Sequence, residues 1–445
     1  MEFSQLASES RHAVAIIGGA VSGSEAALAC AGRGILAIVI EQNPRPYGKI
    51  EDGLPRWHDK LRDKEYARID DNFDREGVLF VPNTLVGKDA DLLEMARDWG
   101  LSAVLLANGA WRDRPVGVEG LDEYVGKGLL YQNPFVHWFN HYEDTGYDGP
   151  QYEVKDDAIV LGGGLASVDV AKILNLELYR AALRERGIEV SVVDMEHKGI
   201  PATLAKLDLT PEALGVKGCT LYYRRRVIDM PVAFPKGDTP EALEKVRGVR
   251  QKMIGILAKK YLIRVQELHR AVGAVVRDGQ LVGLKFRRTE NIDGKVTDVE
   301  GSDYEVESPL TVSSIGSVPQ GIEGVPMRGE LYDYADWDTG VVRGLPGVFG
   351  LGNVLTGKGN IKDSRINSQD ISQQVMERYL GLSPSGDDLM DGAHESAAAS
   401  GEAAAESAIR RAKTTPEQLG KILDFVKSRW EATGYTGDYR GWVKR

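Results

Sequence analysis

Two cysteines, Cys30 and Cys219, are all that the 445 residues contain. They are too few and too far apart for a disulfide framework, a cysteine-rich zinc site or a cysteine-held iron–sulfur cluster, and no CxxC redox pair exists. Long apolar runs are missing too. No stretch approaches the roughly 18–20 residues that a membrane helix needs, and the polar segment Met1–Arg11 lacks the apolar core of a secretion signal. Positive charge is also short. Lys and Arg number 55 against 66 Asp and Glu, a net charge of −11, which disfavours a bulk electrostatic nucleic-acid binder. The expectation is a cytoplasmic chain with no nucleic-acid partner and no membrane insertion. A hydrophobic share of 42% with 27% charged residues reads as globular, and the length as two to three domains.

Glycine, by contrast, is abundant, with 51 residues. Part of this surplus sits in two similar places. The short apolar run Ala13–Ile17 reads as a strand buried on both faces, followed by Gly18-Gly19-Ala20-Val21-Ser22-Gly23, a small-residue helix from Ser24 to Ala31, and a second strand, Leu36–Ile40. This is a βαβ unit with a glycine turn, in which backbone N–H groups at a helix N-terminus meet a pyrophosphate. Gly18 serves the tight turn, Ala20 replaces the middle glycine, and Gly23 allows helix and strand to pack closely. Glu41 ends the second strand, 23 residues after Gly18, where a carboxylate accepts both hydroxyls of an adenosine ribose.

A second copy begins at Ala158–Leu161, with Gly162 and Gly164 kept and Ser167 small enough for the third position. Its helix runs through Leu174, and the next strand, Cys219–Tyr223, comes only after an insertion spanning about residues 180–218. No acid ends this strand. Arg224-Arg225-Arg226 follows, and guanidinium groups holding a 2′-phosphate select NADP(H) over NAD(H). One acid-ended and one arginine-ended unit in the same chain mean FAD plus NADPH on an α/β fold with two Rossmann-like, doubly wound dinucleotide-binding domains.

Here the chain resembles the adrenodoxin reductase type of NADPH:ferredoxin oxidoreductase, over nearly its whole length, and less closely the flavin–NADPH subunit of glutamate synthase. The resemblance rests on Ile16–Ala20, Glu41, Pro46-Tyr47-Gly48, Val86–Asp89, Ala107-Asn108-Gly109-Ala110, Phe135–Asn140, Leu165–Leu174, Tyr223-Arg224-Arg225 and Gly434–Trp442. It implies a FAD-binding domain from residues 12–115 and 316–380, an inserted NADP(H)-binding domain at 116–315, and a linker with a C-terminal docking helix and tail over 381–445. A flavin-facing turn would fall on Gly352, Asn353, Gly359, Asn360 and Ile361. Lys358 in that turn is either a cation for reduced flavin or a solvated loop residue. The stretch Ser383–Ala405, rich in Ala, Ser and Gly, reads as a linker, whereas Pro416–Trp430 has apolar residues at helical spacing.

The same resemblance makes His58 and Asp169 either a proton relay near the flavin or packed and surface residues. Glu51-Asp52 departs from the family pattern of a basic and an aromatic residue, which makes the ground beside the flavin more acidic. The implied partner is a ferredoxin-like electron carrier. A small-molecule acceptor, or a place in a larger complex, remains as an alternative, with room for an oligomer. For a carrier, Lys245, Arg247, Arg250, Lys252, Lys259 and Lys260 form either a docking face or an ordinary solvated helix face, and Lys362 with Arg365 a smaller patch.

Overall fold

In the computed structural model, which describes residues 3–355 and 391–444 except 236, 238 and 293, the strand Ala13–Ile17 is buried along its whole length. It lies parallel between Leu36–Ile40 and Ala103–Leu106, and Val78–Val81 extends the sheet on one side. On the other side Val348–Gly350 pairs parallel with Ala103–Leu106, and two short antiparallel strands, Val341–Val342 and Tyr334–Asp336, close the edge. This seven-stranded sheet therefore draws on residues 13–106 and again on residues 334–350.

A second parallel sheet of five strands comes from the middle, in the order Leu129–Tyr131, Thr311–Ser314, Ile159–Gly162, Thr220–Tyr223, Arg264–Glu267. Parallel strands need crossover connections, and both glycine turns feed one: helix Val21–Gly32 in the first sheet and helix Leu165–Arg184 in the second. The second helix is about three turns longer than its small-residue start suggests. Three short helices, Val192–Lys198, Ile200–Ala205 and Pro211–Leu214, fill the inserted stretch. A four-stranded antiparallel sheet is built around Gln280–Ile292, and its strand His269–Arg277 packs near Thr220–Tyr223.

The segment read as a linker is corrected by the structure. From Asp391 to Ile409 it is helix, packed along helix Val21–Gly32. Ala397, Gly401, Ala404, Ala405 and Ala408 recur at helical spacing on the buried face, and small side chains let the two backbones approach closely. A Cβ on Gly401 would come within 2.9 Å of the Ala26 Cα. Alanine, counted as loop-like beside Ser and Gly, is the strongest helix former.

The helix Pro416–Thr433 docks as its spacing predicts, with Leu419, Ile422, Leu423 and Val426 buried and a Thr415–Gln418 capping box at its start. Its Arg429 Nε donates to Thr84 Oγ1 at 3.0 Å, and Trp430 Nε1 to the Phe80 carbonyl at 2.8 Å. Beyond it, Trp442 Nε1 donates to the Pro44 carbonyl at 2.6 Å, and the Tyr439 and Tyr47 hydroxyls share Asp70 Oδ1. The tail thus braces the loops that border the first glycine turn.

Candidate active site

The turn at Gly18 has φ +98°, and a Cβ there would lie 2.6 Å from the Ala107 carbonyl oxygen; one on Gly23 would lie 1.9 Å from the Gly18 oxygen. Both positions need glycine, for the turn and for the packing, as the spacing predicts. Helix Val21–Gly32 begins at Ala20 with no side-chain cap, although the helices starting at Asp91, Thr239 and Thr415 are capped by their own side chains. Its free N–H groups face a cavity of about 580 Å³ lined by Gly18, Ala20, Ser22, Glu41, Gly48 and Gly109, among others. Glu41, buried, accepts the N–H groups of Gly19 at 2.8 Å and Asn43 at 3.0 Å. Burial pushes its carboxyl up to about 7 against these bonds.

The second turn repeats the design. Helix Leu165–Arg184 starts at Gly164, again without a side-chain cap. Ser167 donates to the Gly164 carbonyl at 2.6 Å, and its Cβ packs where Gly162 leaves room. Among the described residues, and apart from its chain neighbours, nothing lies within 4 Å of where a Gly164 Cβ would stand, so the missing side chain leaves open space for a ligand rather than a packing contact. A cavity of about 870 Å³ is lined here by Gly162, Gly164, Arg224, Arg225, His269 and Arg270, among others. The arginine triplet divides. Arg226 turns to Asp229 at 2.8 Å, leaving Arg224 and Arg225 for the cavity.

Lys49, Ala110, Gln132, Ala166 and Asn353 line both cavities, which therefore meet. Lys49 Nζ donates to Asn133 Oδ1 and Ser317 Oγ, each at 3.0 Å, and lies over the Trp111 ring. Burial lowers its pKa to about 8, with Asp113 opposing. Lys49 and Trp111 directly follow two motifs that carry the family resemblance, Pro46-Tyr47-Gly48 and Ala107–Ala110, and adjacency is the signal available for them. His269 and Arg270 come from a distant strand and carried none.

Other expected residues fall elsewhere. Gly352 begins a single 3₁₀ turn against Ser22 and does not line either cavity. Gly359, Asn360, Ile361, Lys358, Lys362 and Arg365 lie outside the described residues. His58 and Asp169 do not line the cavities; both border the buried Lys172, whose Nζ is 2.6 Å from Glu196 and 3.9 Å from Asp169. Burial, then the Lys172 charge, lowers the His58 pKa to about 3. The expected acidic ground beside the flavin is also corrected. Ile50, Gly53 and Leu54 line the first cavity, whereas Glu51 turns to Arg45 and Asp52 to His137 and His141.

No protein-family model matches the chain. It is 28% identical over 234 residues to the mitochondrial NADPH:adrenodoxin oxidoreductase of Arabidopsis thaliana, covering 50% of this chain and 45% of that protein. It is 26% identical over 383 residues to the NADPH glutamate synthase small chain of Mycobacterium tuberculosis, covering 82% and 66%. The chain thus spans less than two thirds of the length of either relative. Mycobacterium tuberculosis FprA, solved in complex with NADPH, superposes with a TM-score of 0.62 at 18% identity, over 94% of this chain and 90% of that one. By sequence the chain is a relative of the NADPH:adrenodoxin oxidoreductase and glutamate synthase small-chain proteins, and its fold is the α/β fold of FprA, with two dinucleotide-binding domains.

Proposed function

We propose that the chain is an FAD-dependent NADPH oxidoreductase that passes electrons to a ferredoxin-type carrier. The observation that carries this is the meeting of two cavities, each at an uncapped helix N-terminus, one ended by Glu41 and the other by Arg224 and Arg225. The residues fit the groups. Free N–H donors and the space at Gly164 suit pyrophosphates, Glu41 suits ribose hydroxyls, and two guanidinium groups suit a 2′-phosphate. Flavin, when bound, supplies hydride acceptance and release of single electrons, which no side chain does well.

In this reading residues 12–115 and the described part of 316–380 hold FAD, 116–315 hold NADP(H), and the C-terminal helices brace the former. Lys49, Gln132 and Ala166 form the wall where the reacting rings would meet, and Lys49 holds a positive charge there. Two buried free cysteines accord with a reducing compartment such as the cytoplasm.

The carrier reading is supported by the named activity of the plant relative. The charged helix Pro240–Tyr261 supports it less than its composition implies. Lys245, Lys252 and Lys259 are exposed, but Arg250 is drawn to the carbonyls of Ala233 and Ile228, and Arg247 pairs with Glu244. A second reading, a chain of a larger assembly, is favoured by the relative named as a small chain. Re-oxidation of NADPH-reduced protein by ferredoxin, flavodoxin and small quinones across salt tests the proposal. Fast turnover with ferredoxin that slows steeply with salt is expected. A colourless protein that NADPH does not reduce would overturn the enzyme reading altogether.

A further inference from the structure

Away from both cavities, Asp52, His137 and His141 bring one carboxylate oxygen and two imidazole nitrogens within 4.8 Å of one another. We propose that these three residues bind a zinc-class divalent transition metal. His137 and His141, four residues apart on helix Gln132–His141, share one helix face, and Asp52 ends the short helix Lys49–Asp52 that packs across it. Asp52 Oδ1 lies 3.3 Å from His141 Nε2 and 3.8 Å from His137 Nε2. Ligand atoms about 2.0–2.1 Å from a tetrahedral zinc are separated by about 3.3 Å, so the two separations from Asp52 are already near that spacing and the third needs at most a small closure. Two imidazoles with one carboxylate suit zinc, copper or nickel better than calcium or magnesium.

The surroundings hold this arrangement. His141 Nδ1 lies 2.8 Å from Asp144 Oδ2, a carboxylate that fixes the ring from behind and leaves Nε2 to face the site. Asn140 Nδ2 donates to the carbonyls of Glu51 and Leu54, both at 2.9 Å, tying the two helices at a set distance. His137 is 45% exposed, which gives an ion a path from solvent. The two bridged helices begin at Lys49 and Gln132, both on the wall where the cavities meet. A bound ion therefore clamps that wall from behind.

Competition between the flavin-loaded protein and a chromophoric zinc chelator tests this. Wild type should withdraw one zinc per chain, with His137→Ala, His141→Ala and Asp52→Asn each weakening affinity at least about ten-fold and Asp144→Asn by about ten-fold. Zinc should raise the melting temperature of wild type and leave that of the His137→Ala/His141→Ala double variant unmoved. The double variant keeps every other surface carboxylate, so equal stoichiometry and affinity in the two proteins would mean scattered weak binding and would overturn the site. Failure of wild type to take zinc from the chelator would do the same. Cobalt supplies a reading independent of stability: intense visible bands of low-coordinate Co²⁺ in wild type alone support the site, and only weak six-coordinate bands reject it.

Discussion

The carboxylate of Glu41 accepts the backbone N–H of Gly19 at 2.8 Å, so the acid ending the second strand is hydrogen-bonded to the turn ending the first. The parallel register of Ala13–Ile17 with Leu36–Ile40 makes this contact possible, and it leaves Glu41 buried among apolar strands. One side chain therefore shapes the glycine turn and, in the proposed function, has acceptor capacity left for a ribose.

With its pKa raised to about 7, Glu41 retains in the nucleotide-free folded chain a proton that the unfolded chain loses near pH 4.5. Stability of that form should fall as pH rises from about 4.5 to 7. Glu41→Gln should flatten this slope in thermal melts. It should also weaken FAD retention about ten- to hundred-fold, the cost of exchanging a charged acceptor for a neutral one. An unchanged slope would show that Glu41 does not titrate there.

Arg224→Ala/Arg225→Ala should raise KM for NADPH about ten- to hundred-fold, through loss of charge-assisted phosphate contacts, and alter KM for NADH by less than about three-fold. Steady-state kinetics with both nucleotides decide it. Arg226→Ala should spare nucleotide preference, because that guanidinium is held by Asp229.

Lys49 has a pKa near 8 and stands at the cavity junction. Stopped-flow reduction by NADPH should slow several-fold as pH rises above 8, when this charge is lost. Lys49→Met should be slow throughout, with that inflection gone. A wild-type rate at pH 7 in the variant would remove Lys49 from the reaction.

His58, held neutral by burial and by Lys172, should contribute no inflection between pH 5 and 8 to flavin re-oxidation. His58→Gln should leave the profile unchanged. An inflection that disappears in the variant would reinstate a proton relay through this side chain.

His394, fully buried, lies 3.0 Å from Glu25 and also pairs with Glu65, joining helix Asp391–Ile409 to helices Val21–Gly32 and Asp59–Phe73. Burial opposes its charge, but the two carboxylates prevail and raise its pKa above 6.5. Its stabilisation is then complete below about pH 6.5 and is lost as pH rises through the folded value. His394→Leu, which takes a partner from the buried Glu65 and leaves Glu25 to Arg68, should cost about 3 kcal/mol, read by denaturant unfolding at pH 6.

Much of the fold was legible because parallel strands buried on both faces are short apolar runs, and because glycine turns have few substitutes. Gly18, Gly23, Glu41, Gly162 and Gly164 are recognisable from chain order alone, since each belongs to a strand, glycine turn and helix that follow one another directly in the chain. Helix Asp391–Ile409 reads as a linker in the sequence because its buried face is mostly alanine and glycine, which carry little hydrophobic signal. Its identity as a packed helix depends on the equally small face of Val21–Gly32 opposite.

The sequence by itself determined two glycine turns between strand and helix and the opposite charge at their strand ends, on which the proposed pairing of FAD with NADPH rests, because backbone conformation and the ends of adjacent strands are local matters. The tertiary structure alone decided which arginines face the cavity and that the two cavities meet at Lys49. It also decided that Glu51 and Asp52 turn away from the flavin wall, toward Arg45, His137 and His141. These depend on side-chain direction and on contacts across some 80 or more residues of chain, as between Asp52 and His137, which no local pattern encodes.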